Sequence, residues 1–186
     1  MSQERFAPIP EEARSPRQQA LADTLISGPR GGIRGPFHAL LRNPKLADQV
    51  RVLGHSIRFE NSLPPALREL VILIAARFWS AQYEWYAHSR IAADAGLDSA
   101  IIKAIELGQR PETMSPDEAL IYDLSTELLN DKDISDATYA AAIDRYGELT
   151  VLDAVCTAGY FSLVALILNA SRHPIPDSAT PLKPLS

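Results

Sequence analysis

Seven consecutive apolar residues, Leu70 to Ala76, follow the Leu63-Pro64-Pro65 step in the first half of the chain. The stretch from about Pro65 to Trp79 reads as one helix, with proline at its entrance. A helix that is apolar on every side has to be buried on every side. The chain must therefore wrap other elements around this one.

Those elements also read as helices. No segment shows convincing two-residue alternation, and no Asn-Gly or Asp-Gly hairpin signal occurs. Arg17 to Ile26 carries Leu21 and Leu25 four apart, and Gly28 to Pro36 then breaks the pattern with four glycines and two prolines. A short turn, Phe37 to Arg42, comes next. Asn43 and Pro44 form a cap and first helical residue, ahead of a helix with Leu46, Val50, Leu53 and Ile57 on one face. A further helix runs from about Tyr83 to Ala95, with Gly96 as its stop. Asp98 caps a short helix bearing Ile101, Ile102 and Ile105. Ser115-Pro116-Asp117-Glu118 is a capping box that opens a helix to about Asn130. Ser135 caps a helix ending near Gly147, and the last helix runs from about Leu149 to Ser171. Gly159 in its middle signals close packing of another backbone. The predicted fold class is all-α. It is read as one domain over 1–186, with a polar lead-in (about 1–15) and an extended, proline-rich tail (about 172–186).

Composition bounds the function. The 186 residues are 46% hydrophobic and 22% charged, which suits a globular core. A net charge of -5 argues against a nucleic-acid footprint and against a basic membrane patch. Residues 1–13 lack the apolar core of a signal peptide. The apolar stretch Ala154 to Leu168 is too short to span a bilayer. One cysteine, Cys156, makes no internal disulfide, so the cytoplasm is the expected compartment. Within the last apolar helix, that cysteine is expected to be buried and inert.

Polar residues look out of place on two helices. Glu84 and His88 lie one turn apart, in line with Ile91, Ala92 and Ala95. Burying a lone charge costs several kcal/mol, so the two are expected to pair. Glu69 stands at the entrance of the apolar helix, in line with Ile72, Leu73 and Ala76. An antiparallel hairpin of these helices would bring two carboxylates and one imidazole into a dry cavity suited to proton transfer. Glu69 has a plainer reading too, as a helix-dipole carboxylate or a partner of Arg68 or Arg77. Tyr83, Trp85 and Tyr86 read as packing residues that also border a pocket.

Three segments carry a resemblance: Arg68-Glu69-Leu70, then Tyr83-Glu84-Trp85-x-x-His88, then Ala95-Gly96-Leu97. In order and spacing this resembles the carboxymuconolactone decarboxylase family, which shares its fold with alkyl hydroperoxidase D. Gly35-Pro36-Phe37 and Asn43-Pro44-x-Leu46-Ala47 are similar to the upstream part of its longer members. The resemblance implies an alkyl hydroperoxidase D-like helical fold, assembly into trimers or hexamers, and a pocket beside the hairpin. It places the family's acid at Glu69 and its histidine at His88. The peroxidase branch has a cysteine pair where this chain has Ala81 and Glu84, so thiol peroxidase turnover is not expected. The glutamate matches the decarboxylase-like branch instead.

The activity so implied is decarboxylation of a small, anionic, carboxylated lactone. No cofactor is implied, because the unsaturated ring delocalises the electrons released with carbon dioxide. In this reading Glu69, Glu84 and His88 are catalytic: His88 delivers or relays the proton, Glu84 orients it, and Glu69 acts from the far side. Arg34 and Arg77 are candidates to hold the substrate carboxylate. Phe37, His38, Tyr83 and Trp85 are candidates to line the pocket. A divalent metal on Glu69, Glu84 and His88 is chemically conceivable, but one histidine gives it little support, and no metal is expected. The glycine-rich loop, with Arg30 and Arg34, lacks the ending of a phosphate-binding loop. Related lyases, an isomerase or a non-catalytic small-ligand binder would use the same fold. The apolar helices from Leu70 and from Leu149 imply a homo-oligomer.

Overall fold

The structure is a computed structural model that describes residues 4–29 and 31–185. Arg30, the first three residues of the lead-in and the last residue of the tail lie outside the described residues. A 3-10 turn, Glu11–Ala13, precedes eight helices among the described residues: α1 Pro16–Ser27, α2 Phe37–Leu40, α3 Pro44–Phe59, α4 Pro65–Phe78, α5 Gln82–Asp94, α6 Ser99–Glu106, α7 Pro116–Asn130 and α8 Asp136–Ser171. The described residues contain no strand, and the fold is all-α.

Local chemistry sets the helix starts. The Asn43 side chain accepts from Leu46 N at 3.2 Å, and Asp98 accepts from Ala100 N at 2.7 Å. Ser115 and Glu118 close the reciprocal capping box of α7, and Ser15 with Gln18 closes another at α1. Gly147, at φ 76°, breaks α8 into two helical segments, which is where the sequence divides them. Only glycine reaches that conformation without strain.

α4 is the centre. Every residue from Leu70 to Arg77 is buried, and α4 packs against α5, α7 and α8. Ile72 and Ala75 face one apolar cluster, built with α1, α2, α3 and the later part of α8. Leu70, Val71, Leu73 and Ile74 face a second, built with α6, α7 and the middle of α8. Each fully buried Leu or Ile contributes about 1.5–3 kcal/mol, so α4 alone anchors both halves of the core.

Three expectations are corrected here. The buried stripe of α3 is Ala47, Val50, Gly54 and Ile57, whereas Leu46 and Leu53 are exposed. The stripe is turned by about one residue because α3 meets α1, α2 and α8 together. Cys156 is exposed on α8 rather than buried. Nothing in the chain lies within 4 Å of a Cβ built on Gly159, so no backbone of the same chain packs there. α8 is long and apolar enough to cross a membrane, but half of that apolar window is buried inside the protein.

Candidate active site

α4 and α5 carry the centre of the site. Glu69 lies in the second turn of α4 and is 2% exposed. His88 lies on the buried face of α5, and its Nδ1 is 2.7 Å from Glu69 Oε2. A carboxylate only accepts, so Nδ1 carries the proton and donates. That leaves Nε2 as the ring nitrogen available to a ligand. The Phe161 ring of α8 meets the imidazole edge-to-face, with centroids 4.9 Å apart, and fixes its plane.

Glu84 is buried one turn before His88, and neither of its oxygens has a hydrogen-bond partner. The expected Glu84–His88 pairing is therefore corrected: Glu69 on the neighbouring helix holds the imidazole instead. Side chains on one helix face run parallel and four residues apart, whereas α4 presents Glu69 across the interface. Burial pushes the Glu84 carboxyl well above its usual range, because nothing compensates its charge.

Glu84 and His88 both border a cavity of about 310 Å³ between α5, α8 and the glycine-rich loop. Tyr160, Phe161, Val164 and Leu168 supply an apolar wall from α8. Arg34, from the loop, and Arg58, from the last turn of α3, bring cations to the same cavity. A bound acid thus meets an apolar wall, two guanidinium groups, a carboxyl whose burial favours its neutral form, and a carboxylate-held imidazole. This set supports proton transfer to or from an anionic small molecule. Among the described residues no group of three or more His, Cys, Asp or Glu is placed to hold a metal ion.

The other candidates divide. Tyr83 lines the cavity, and its ring is the nearest neighbour of Gly35, whose φ of 55° turns the loop toward it. Phe37 is in the core under the loop, and Trp85 is in the cluster on the far side of α5. Neither borders the cavity. Amphipathic helices bury their largest rings against neighbours, which takes both away from the ligand side. His38 stacks on His173, centroids 5.4 Å apart, and His173 meets Tyr83 edge-on at 4.5 Å. His38 therefore supports the loop through His173 and does not line the cavity. Arg77 points away from the site: its guanidinium donates to Lys183 O at 2.8 Å and lines a second cavity with Ile74, Ile105 and Tyr122. It sits eight residues after Glu69 on α4, where its side chain faces the α6 and α7 side. Arg58 was missed, because only its place after the buried Ile57 sets it apart from other arginines. The α8 wall was missed too, since its residues look like ordinary core.

Residues 44–114 match the model of the carboxymuconolactone decarboxylase family. Arg58, Glu69, Glu84 and His88 all fall inside the matched segment. None of the curated proteins compared with the chain matches it. Among solved structures, the chain is similar to the alkylhydroperoxidase AhpD core, an uncharacterized peroxidase-related protein from Ralstonia eutropha JMP134, with a TM-score of 0.74 and 14% identity over 95% of each chain. It is also similar to an uncharacterized peroxidase-related protein from Silicibacter sp. TM1040, with a TM-score of 0.69 and 13% identity over 92% of this chain and 87% of that one. Residues 44–114 are thus similar to the carboxymuconolactone decarboxylase family, and the fold is that of the alkylhydroperoxidase D-like proteins.

Proposed function

We propose that the protein is a cofactor-independent lyase that decarboxylates a small carboxylated lactone or a related unsaturated acid. The observation that carries this reading is the buried, unpartnered Glu84 beside the Glu69–His88 pair on one cavity wall. Arg34 and Arg58 hold the substrate carboxylate at the cavity mouth. Loss of carbon dioxide breaks the bond between ring carbon and carboxylate, and its electron pair passes into the unsaturated lactone. His88, held by Glu69, hydrogen-bonds through Nε2–H to the carbonyl oxygen where that charge collects and keeps its proton. Glu84, kept protonated by burial, delivers the proton to carbon and regains one from water.

Thiol peroxidase turnover has less support. The positions of a cysteine pair are Ala81 and Glu84, no cysteine borders the cavity, and Cys156 is exposed on α8.

The test is carbon dioxide release from 4-carboxymuconolactone by the wild-type protein, Glu84→Gln and His88→Ala. Wild-type turnover that falls about 10²–10⁴-fold in each variant supports the roles given. Turnover that survives both substitutions removes them. A wild-type protein that is inactive on this lactone and on related unsaturated acids makes the cavity a binding site for small anions instead.

A further inference from the structure

The second cavity, of about 370 Å³, shares no lining residue with the one at His88. It lies between α4, α6 and α7, and its size is that of a small-molecule site. Ile74 of α4, Ile105 of α6 and Tyr122 of α7 give it apolar walls. Leu185 of the tail closes one side, seated on Gly108 so closely that a Cβ there would collide with it. Gln109 and Asn130, both exposed, leave the rim open to solvent.

A buried cation stands in this apolar setting. Arg77 is 4% exposed, and its hydrogen bonds go to neutral oxygens: Nη1 donates to Ser80 Oγ at 3.2 Å and Nη2 to Lys183 O at 2.8 Å. Its Nε is buried without a partner, and so is Thr126 Oγ1 on the α7 wall of the same cavity. Among the described residues no carboxylate forms an ion pair with this guanidinium. Glu106, whose charge acts on it, is engaged by Lys103 at 2.8 Å. Anchoring the tail does not require the charge. Gln82, an uncharged amide, exchanges two hydrogen bonds with Leu182 to the same end. A guanidinium kept from water without a counter-charge is costly, and a bound anion offsets that cost.

We propose that this cavity is a second ligand site, for a small monocarboxylate with an apolar body. The carboxylate sits on Arg77 Nε and Thr126 Oγ1, and the body lies along Ile74, Ile105 and Tyr122. Nε–H and an Nη2 proton form the fork that meets a carboxylate with two parallel hydrogen bonds. The Thr126 hydroxyl donates a third. Arg77 is the one charged residue on the described lining, so a single negative charge is matched and a second is not. The apolar walls add affinity in proportion to the surface they cover, which a small inorganic anion lacks. The described lining holds no carboxyl, imidazole or thiol, so the ligand is bound there and not turned over.

The test is calorimetric titration of the full chain with octanoate, octanamide and acetate. Octanoate is expected to bind the wild type, and to bind equally well to a chain carrying Arg34→Ala and Arg58→Ala, whose first cavity has lost its cations. This background separates the second site from the function proposed for the first. Within it, Arg77→Gln should weaken octanoate about 10–100-fold and Thr126→Val about 5–10-fold. Octanamide, which lacks the charge, and acetate, which lacks the apolar body, should each bind about 10-fold more weakly or worse. Circular dichroism checks that each variant folds. Thr126→Val keeps the side-chain shape, so it decides alone if Arg77→Gln fails to fold. The proposal is overturned by a wild type that does not bind octanoate, or by binding that disappears with Arg34 and Arg58. Octanamide or acetate binding as tightly as octanoate overturns it too, as does a folded Arg77→Gln or Thr126→Val chain that binds like its parent.

Discussion

Glu84 is held without a hydrogen bond in a site that is 2% exposed, and that choice costs the fold something. Its carboxyl is raised by burial above an ordinary value of 4.5, so the folded chain keeps this proton to higher pH than the unfolded chain does. The sign follows. The contribution to stability is whole below about pH 4.5 and is lost as pH rises through the folded value. Glu84→Gln abolishes this term. Urea unfolding of both proteins at pH 5 and pH 7.5 should show the variant gaining on the wild type by up to about 1.4 kcal/mol per pH unit wherever Glu84 is protonated in the folded chain and ionised in the unfolded one. A difference that stays constant with pH would mean that water or a counter-charge reaches Glu84. Glu69, equally buried, does have a hydrogen-bond partner: its Oε2 lies 2.7 Å from His88 Nδ1, which ties α4 to α5.

At the scale of elements, the glycine-rich loop decides the shape of the cavity. Gly35 lies at φ 55°, and a Cβ there comes within 3.0 Å of the Tyr83 ring. Alanine meets both the left-handed penalty of about 1–2 kcal/mol and a ring that has to give way. Gly35→Ala is therefore expected to lower the thermal midpoint and, under the proposed function, to raise KM for the lactone, with kcat changed much less. Equal losses in kcat and KM would show that the loop acts on the chemistry itself. The cavity takes its cations from two short pieces of backbone, this loop and the last turn of α3, and its apolar wall from α8. The hydrogen-bonding groups stay on α4 and α5, whose rotamers are locked by the core.

Over the whole molecule, α4 divides the interior into two apolar clusters, and the tail seals the one away from the site. Leu182 is buried there, its backbone exchanges two hydrogen bonds with Gln82, and the neighbouring Lys183 carbonyl satisfies Arg77. Leu182→Ala should cost about 2–3 kcal/mol in denaturant unfolding. Turnover per folded molecule should stay at the wild-type level, since the tail touches the second cavity and not the one at His88. A drop in turnover without a drop in stability would connect the two cavities.

Helix order, caps and the central burial of α4 were legible from residue spacing, because capping and apolar periodicity are local and act within a few residues. Asn43, Asp98 and Ser115 mark their helix starts without help from the rest of the chain. The burial of Glu69, Glu84 and His88 was legible too, since they stand in line with apolar residues on faces that must be buried. Their pairing was not. Two helices that meet at a crossing set by many side chains choose which carboxylate reaches the imidazole, and they chose Glu69. The same holds for the cations. Arg34, Arg58 and Arg77 are alike in sequence, and only packing turns two of them to one cavity and the third to the tail. Sequence by itself thus determined which segments are helical and which polar groups are trapped inside. The tertiary structure decided which trapped groups touch, because contact depends on the relative placement of helices that no local pattern encodes.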